Sequence, residues 1–463
     1  MDEHSDRYMR ASDAFTWYME RDPLLRSTIV TVALLDGAPD WERVVRRVEL
    51  ATHRIPGLRR RLVETPLRLA TPRWVDDPDF DLGFHVRRVS APAPGSVDDV
   101  LEIARAAAMD TFDTARPLWE FTLVEGIGTE SAAFVMKVHH SLMDGIGAVQ
   151  LAAHLFDLAS DATDPAGDTE ETSPAAHPFD ALGMIGDTLA HNFRQAADFA
   201  FKQASKIVPS VIEAASHPRQ VADQALRTAA SIARMVAPAA DRRSPVMKGR
   251  RHASQLTVLD VPHHDLRRAA AAAGGTLNDG FLAGVVGGLR RYHEHHGSPV
   301  EELRVTMPVS IRLPSDPPGG NRITLMRFPI PVTIDDPVER MRSLHDIVRR
   351  QRDEPAIRHT NTIAGVLNLL PQQVVGSMLK QVDFVASNVP GVDLPLYLAE
   401  AKVRRLYPFG PPTGTAVNVT LLSYDGTCCI GINADSAAVP DLDVFHRCVD
   451  EGFAEVLEVG RAG

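Results

Sequence analysis

Two periods of apolar and polar residues run along this chain and divide it into alternating strands and helices. Residues 27–35 are β-branched and predict a strand, and residues 41–53 predict a helix. Ser96, followed by Val97, Asp98 and Asp99, has the form of a helix start with an acidic first turn, and that helix is expected to reach about Met109. Pro117-Leu118-Trp119 leads into a strand over 120–125, and residues 132–138 read as a buried strand that ends at His140. Strand side chains alternate between faces, so Phe134, Met136, Val138 and His140 share one face and Val135, Lys137 and His139 the other. Gly145 allows a sharp turn, and the residues from Gly147 predict a helix.

Residues 161–180 shift to Asp, Thr, Pro, Gly and Glu and read as a solvated linker. Residues 181–208 and 219–237 are helical by spacing, with Pro209 and Pro218 between them. A basic cluster follows at Arg242, Arg243, Lys248, Arg250 and Arg251. A second α/β run then begins, with strands expected at 255–261, 303–311, 322–332 and 382–387. Its helices are expected at 263–273, at 277–296 capped by Thr276, from Pro337 to 352, and at 441–459. Residues 415–433 predict a hairpin turning at Asp425-Gly426. The pattern therefore predicts two α/β halves, 1–165 and 253–463, joined by a linker and connecting helices over 166–252.

Composition narrows the class. A chain of 463 residues with 44% hydrophobic and 24% charged residues can bury full cores in two or three domains. The net charge of −11 argues against nucleic acid as the main partner. Three cysteines, Cys428, Cys429 and Cys448, suggest a reducing compartment and lack metal-ligand spacing. No signal peptide or spanning run is expected, so membrane contact would be peripheral.

The chemistry concentrates in His139-His140-Ser141-Leu142-Met143-Asp144-Gly145. An imidazole at a strand end, beside a turn that opens onto a cleft, can take a proton from a hydroxyl or thiol near neutral pH. Two blander readings stand beside it: a satisfied core histidine, or a fragment of a metal site that lacks a third ligand. His263-His264 and His293-Glu294-His295-His296 lack a third-ligand pattern as well and read as solvated surface, so no metal is expected.

The pattern H-H-x-x-x-D-G is shared by the chloramphenicol-acetyltransferase-like superfamily. Further motifs accompany it: Pro72-Arg73-Trp74-Val75-Asp76, Phe80-Asp81-Leu82 with His85-Val86, Pro117-Leu118-Trp119-Glu120, Asn278-Asp279, Pro308-Val309-Ser310-Ile311-Arg312, Gly320-Asn321 and Ser387-Asn388-Val389-Pro390-Gly391. In this order the chain resembles the bacterial wax ester synthase/diacylglycerol acyltransferase family from about Ala11 to Leu457. It departs where Val392 stands in place of the proline that often follows that last motif.

The resemblance implies two chloramphenicol-acetyltransferase-like domains with the active-site tunnel at their interface. It implies transfer of a fatty acyl group from acyl-CoA, a co-substrate and not a cofactor, to diacylglycerol or a long-chain alcohol. His140 would be the base, with Asp144, Ser387 and Asn278 at the catalytic centre and Asn388 beside Ser387 near the oxyanion. His139, Gly145, Arg312 and Asp279 would be structural there, Arg312 as the partner of Asp144. Arg250 and Arg251 would meet CoA phosphates or anionic headgroups. The expected location is the cytoplasm, on the inner face of the cell membrane or on lipid droplets. Rival readings are a peptide-synthetase condensation domain and a non-catalytic lipid-binding protein.

Overall fold

The computed structural model describes residues 8–65, 70–128, 131–142, 145–160, 244–310, 323–354, 376 and 380–462. In chain order the first half contains α1 (Ala11–Met19), β1 (Thr28–Leu35), α2 (Trp41–Arg54), β2 (Arg60–Val63), β3 (Arg73–Asp76), α3 (Leu82–His85), β4 (Val86–Ser90), α4 (Val97–Met109), β5 (Trp119–Ile127), β6 (Ser131–His139) and α5 (Gly145–Leu155). The second begins at β7 (Ser254–Pro262), followed by α6 (His263–Ala272), α7 (Leu277–His295), β8 (Glu302–Ser310), β9 (Ile323–Pro331) and α8 (Pro337–Arg352). It continues through β10 (Phe384–Val392), β11 (Tyr397–Leu398), β12 (Ala401–Phe409), β13 (Val417–Tyr424), β14 (Thr427–Asp435) and α9 (Leu442–Ala462).

Local chemistry fixes the helix starts. Ser96 and Asp99 form a reciprocal capping box at α4, and Thr276 and Asp279 form another at α7. Asp336 caps α8, whose first residue is Pro337, where a missing N–H costs nothing. The 425–426 turn joins β13 to β14 as a hairpin, with Tyr424 opposite Thr427. Elements absent from the sequence reading also appear: α1, the small β2–β3 sheet, α3, β4, and β11–β12.

The strands assemble into two six-stranded sheets. The first has the order β11-β12-β1-β6-β5-β4 and the second β7-β14-β13-β10-β8-β9. In the second, β10 lies parallel to both β13 and β8. The first sheet corrects the expected division of the chain. Strands β11 and β12 lie within 253–463 by sequence, yet β12 pairs antiparallel with β1, Val30 opposite Phe409 and Leu34 opposite Arg405. The reason is packing between the halves. Strand β12 also touches β13 and β14, and at Gly431 a Cβ would fall 1.9 Å from the Pro408 carbonyl oxygen. Only a bare Cα lets the crossing strand approach that closely.

Two apolar cores result, and β14 stands between them. Cys428 belongs to the core of the second half and Cys429 to that of the first, because adjacent strand residues face opposite ways. Burial pushes the Cys428 thiol up to about 12 and that of Cys429 up to about 11, so both are protonated packing groups. Helix α9 packs along α7 and covers the outer side of the second core. No helix among the described residues is long and apolar enough to cross a membrane.

Candidate active site

Strand β6 carries its two terminal histidines to different environments. His139 is its last residue, opposite Thr28 of β1, and is buried. Its Nδ1 accepts the Ser141 backbone N–H at 3.1 Å and lies 2.6 Å from Ser141 Oγ. An accepting Nδ1 leaves the proton on Nε2. That nitrogen faces Glu20 Oε1 at 3.0 Å, out of line for a hydrogen bond. Glu20 in turn accepts the Ser27 backbone N–H. The rings of Trp17 and Phe112 stand edge-on to the imidazole at 5.6 and 6.0 Å. On the same face Lys137 is buried over the Phe112 ring, with Nζ 3.3 Å from Glu120.

His140 is the first residue beyond the strand and is half-buried. Its backbone N–H donates to the Ser27 carbonyl at 2.9 Å, which extends the β1–β6 ladder by one step. Leu142 N–H closes the turn on the His139 carbonyl, and its side chain rests against Gly57. The support below this turn is aromatic. Trp119 Nε1 donates to the Leu58 carbonyl at 2.8 Å, which holds the turn Pro56–Arg59 under Leu142. His85 stacks on Trp119 at 4.5 Å and donates Nδ1–H to the Trp119 carbonyl at 2.7 Å. Phe80 covers the other face of that imidazole, and burial holds the His85 pKa below its ordinary value. In the sequence His85 and Trp119 stand in separate motifs, and nothing there connects them. Their only local signal was an apolar setting around a histidine.

Asp144 and Arg312 lie outside the described residues, as do Arg242 and Arg243. Gly145 opens α5, and α5 packs against β10 of the other half. That contact brings the element following the histidine motif to the strand bearing Ser387 and Asn388. Both residues are half-buried, opposite Thr420 and Leu421 of β13. Gly391, three residues on, is needed because a Cβ there would fall 1.6 Å from the Ser423 carbonyl oxygen. Helix α7 also touches β10. In its first turn Asn278 is half-buried, whereas Asp279 is buried and fully engaged. One Asp279 oxygen accepts from Thr276 N–H and hydroxyl at 2.7 and 2.8 Å and lies 2.9 Å from His345 Nδ1.

Two expectations change. Arg250 was expected to meet an anion, yet its guanidinium donates to the carbonyls of Gly414, Met247, Gly249 and Val382 at 2.7–3.1 Å. It clamps the chain where it re-enters the second half. Among the described residues only the backbone N–H of Arg251 is held, by Asp435, and its side chain is exposed. His293 was expected at the surface and is instead buried, because α7 is covered along that side up to its last turn. Its Nε2 lies 2.8 Å from Ser244 Oγ and Nδ1–H donates to the Leu289 carbonyl, while Ser244 N–H donates to the buried Asp383.

Comparison with known proteins agrees with this architecture. The description "Wax ester synthase/diacylglycerol acyltransferase catalytic domain" matches residues 9–281, and "WS/DGAT C-terminal domain" matches 319–456. A Mycobacterium tuberculosis H37Rv protein, provisionally named a diacylglycerol O-acyltransferase, is 37% identical over 95% of this chain and 89% of its own. The wax ester synthase/diacylglycerol acyltransferase of Marinobacter aquaeolei VT8 superposes with a TM-score of 0.64 at 22% identity, covering 98% of this chain and all of its own. The first condensation domain of the calcium-dependent antibiotic synthetase superposes at 0.63 and 13% identity, over 98% of this chain and 96% of its own, so the likeness there is one of fold. A two-lobed acyltransferase fold, the histidine motif at a strand end, and matches over nearly the whole length lead to one conclusion: the chain belongs to the wax ester synthase/diacylglycerol acyltransferase family.

Proposed function

We propose that this protein transfers a long-chain acyl group from acyl-CoA to the free hydroxyl of diacylglycerol, giving triacylglycerol and CoA. The observation that carries the reading is the placement of His140. It stands one residue past a buried strand, in a turn held by Ser27, Leu142 and the Trp119 platform, beside a helix that reaches the other half. A base there meets two substrates that enter from different sides.

In the proposed reaction His140 takes the hydroxyl proton as the oxygen attacks the thioester carbon. The tetrahedral oxyanion is stabilised by donors around Ser387 and Asn388, with Asn278, in the first turn of a helix that touches β10, as a further member. Collapse breaks the C–S bond, and the proton on His140 passes to the leaving thiolate. A thioester is already activated, so the route needs no covalent enzyme intermediate and no metal. Asp144 shapes the loop, with Arg312 as its proposed partner. Peripheral contact with a membrane or lipid-droplet surface would deliver the acyl acceptor.

The test is purified protein with labelled palmitoyl-CoA and both diacylglycerol and hexadecanol, with thiol release and lipid products recorded together. Labelled triacylglycerol is the expected product. Wax ester alone would move the acceptor to long-chain alcohols. Acyl transfer undiminished in His140→Ala would overturn the general-base role. The expected loss is about 10²–10⁴-fold with an unchanged melting curve.

A further inference from the structure

Helix α5 leads away from the histidine motif, and β10 carries Ser387 and Asn388. Whatever fixes the far ends of these two elements therefore fixes the space between the proposed base and the proposed oxyanion donors. Both far ends meet at one point. Just past α5, Asp157 N–H donates to the Tyr397 carbonyl at 2.8 Å, and Tyr397 N–H donates to the Asp157 carbonyl at 2.9 Å. Tyr397 opens β11, the next strand after β10. The connection between those strands is held as well: Leu396 N–H donates to the Tyr424 hydroxyl at 2.9 Å, and that hydroxyl donates to the Val403 carbonyl at 2.8 Å. Helix α2, which packs on α5, grips the meeting point. Arg47 Nη2 donates to both carboxylate oxygens of Asp157 at 2.5 Å, and only 8% and 13% of the two side chains are exposed. Arg43 lies one helical turn earlier on the same face and pairs with Glu400 in the β11–β12 turn. That turn holds Ala399 and Glu400 at φ of 44° and 77°, a left-handed conformation that L-residues adopt only at a cost. Two arginines of one helix thus hold the short strand β11 from either end.

We infer that Arg47 and Asp157 are positioning residues for acyl transfer: the pair locks the end of α5 to β11 in one register and so sets the gap between His140 and the Ser387–Asn388 end of β10. This rests on the reading of those residues as base and oxyanion donors, and it adds what holds them at a working separation. A buried ion pair is a weak source of stability, because desolvation offsets the attraction and an apolar pair of similar volume often serves as well. It does favour a single arrangement, since each charge has only one place where its desolvation is offset. A single arrangement is what the chemistry needs: oxyanion donors act only where they are preorganised, and a displacement of about 1 Å costs about 100-fold in rate. The exposed Arg43–Glu400 pair adds little by itself, so the buried pair is the link to test.

The test separates position from stability. In the full-length protein, Arg47→Met and Asp157→Leu should each lower the urea midpoint, because each leaves one buried charge unpaired. Arg47→Met/Asp157→Leu removes both charges and should bring the midpoint back toward the wild-type value. Turnover of palmitoyl-CoA with diacylglycerol is then measured where every variant keeps the native far-UV spectrum. In the double variant kcat should stay about tenfold or more below wild type, with both KM values nearly unchanged. A pair that served stability alone would restore kcat along with the midpoint, and that result would overturn the inference. So would a rise in KM with kcat intact. Position can also be read without turnover. Ala153→Cys on α5 and Leu394→Cys between β10 and β11 place spin labels at exposed positions, while Cys428, Cys429 and Cys448 are buried. The distance between the labels should shift or spread when Arg47→Met/Asp157→Leu is added, and an identical distribution would overturn the inference. Protein that transfers no acyl group in any form, yet shows this spread, would overturn the functional reading and leave the clamp standing.

Discussion

Two neighbouring histidines meet opposite requirements because a strand ends between them. His139 is inside the ladder, where a buried Nδ1 needs a partner, and the Ser141 N–H and hydroxyl supply it. His140 has left the ladder and is half-exposed in the turn. Replacing His139 by Ala should leave the buried Ser141 N–H unsatisfied and cost about 1–3 kcal/mol, read as a lower urea midpoint. His140→Ala should leave that midpoint unchanged while activity falls. Equal midpoints for both variants would show that His139 does not hold the turn. At this scale the alternation of faces was legible in residues 132–140, because it depends only on the pleat. The charged neighbour was not: Glu20 lies on a segment brought near by tertiary packing, and nothing in the spacing of Glu20 and His139 announces their approach.

Elements show the same divide more sharply. Helix starts at Ser96, Thr276 and Pro337 were legible because a cap is a matter of three or four residues. Strand β12 was not. Lys402, Arg404, Arg405 and Pro408 hide its alternation, and its stability comes from β1 and from a tight crossing over β14. Arg405 and Tyr407 on that strand both bind Asp260 of β7, with the Tyr407 hydroxyl donating at 2.9 Å. Gly431→Ala should therefore destabilise the protein by about 1–3 kcal/mol or more, through overpacking against Pro408. Gly37→Ala, where a Cβ meets nothing within 4 Å, should leave the denaturation midpoint unchanged and serves as the control. Gly391→Ala should act like Gly431→Ala and also reduce acyl transfer, since it displaces the end of β10 beyond Ser387 and Asn388. An unaltered midpoint for Gly391→Ala would mean that β10 can move away from Ser423 freely.

For the whole molecule, each half buries a neutral histidine. His85 and His293 both have pKa values lowered chiefly by burial, so between their folded values and the unfolded value of about 6.5 the unfolded chain binds more protons. Stability from these groups is full above about pH 6.5 and is lost as the pH falls. Urea midpoints measured from pH 7.5 to 5 should decline, and His293→Gln should flatten part of that decline. An identical slope in the variant would mean that His293 is not the group that titrates. Its place beside Ser244 and Asp383, where the chain re-enters the second half, makes that junction a site of acid sensitivity.

The sequence alone determined most of the longer strands and helices, the caps at which several helices start, the family motifs and the position of His140 at the end of a strand. Those depend on interactions within a few residues, which periodicity and capping express directly. Tertiary structure decided which strands share a sheet, that 397–409 belongs with the first half, that Arg250 holds backbone carbonyls, and that Arg26 and Arg251 line one groove. These pairings join residues hundreds of positions apart. What selects them is the burial of apolar faces and the satisfaction of polar groups once the halves dock, which no local pattern encodes.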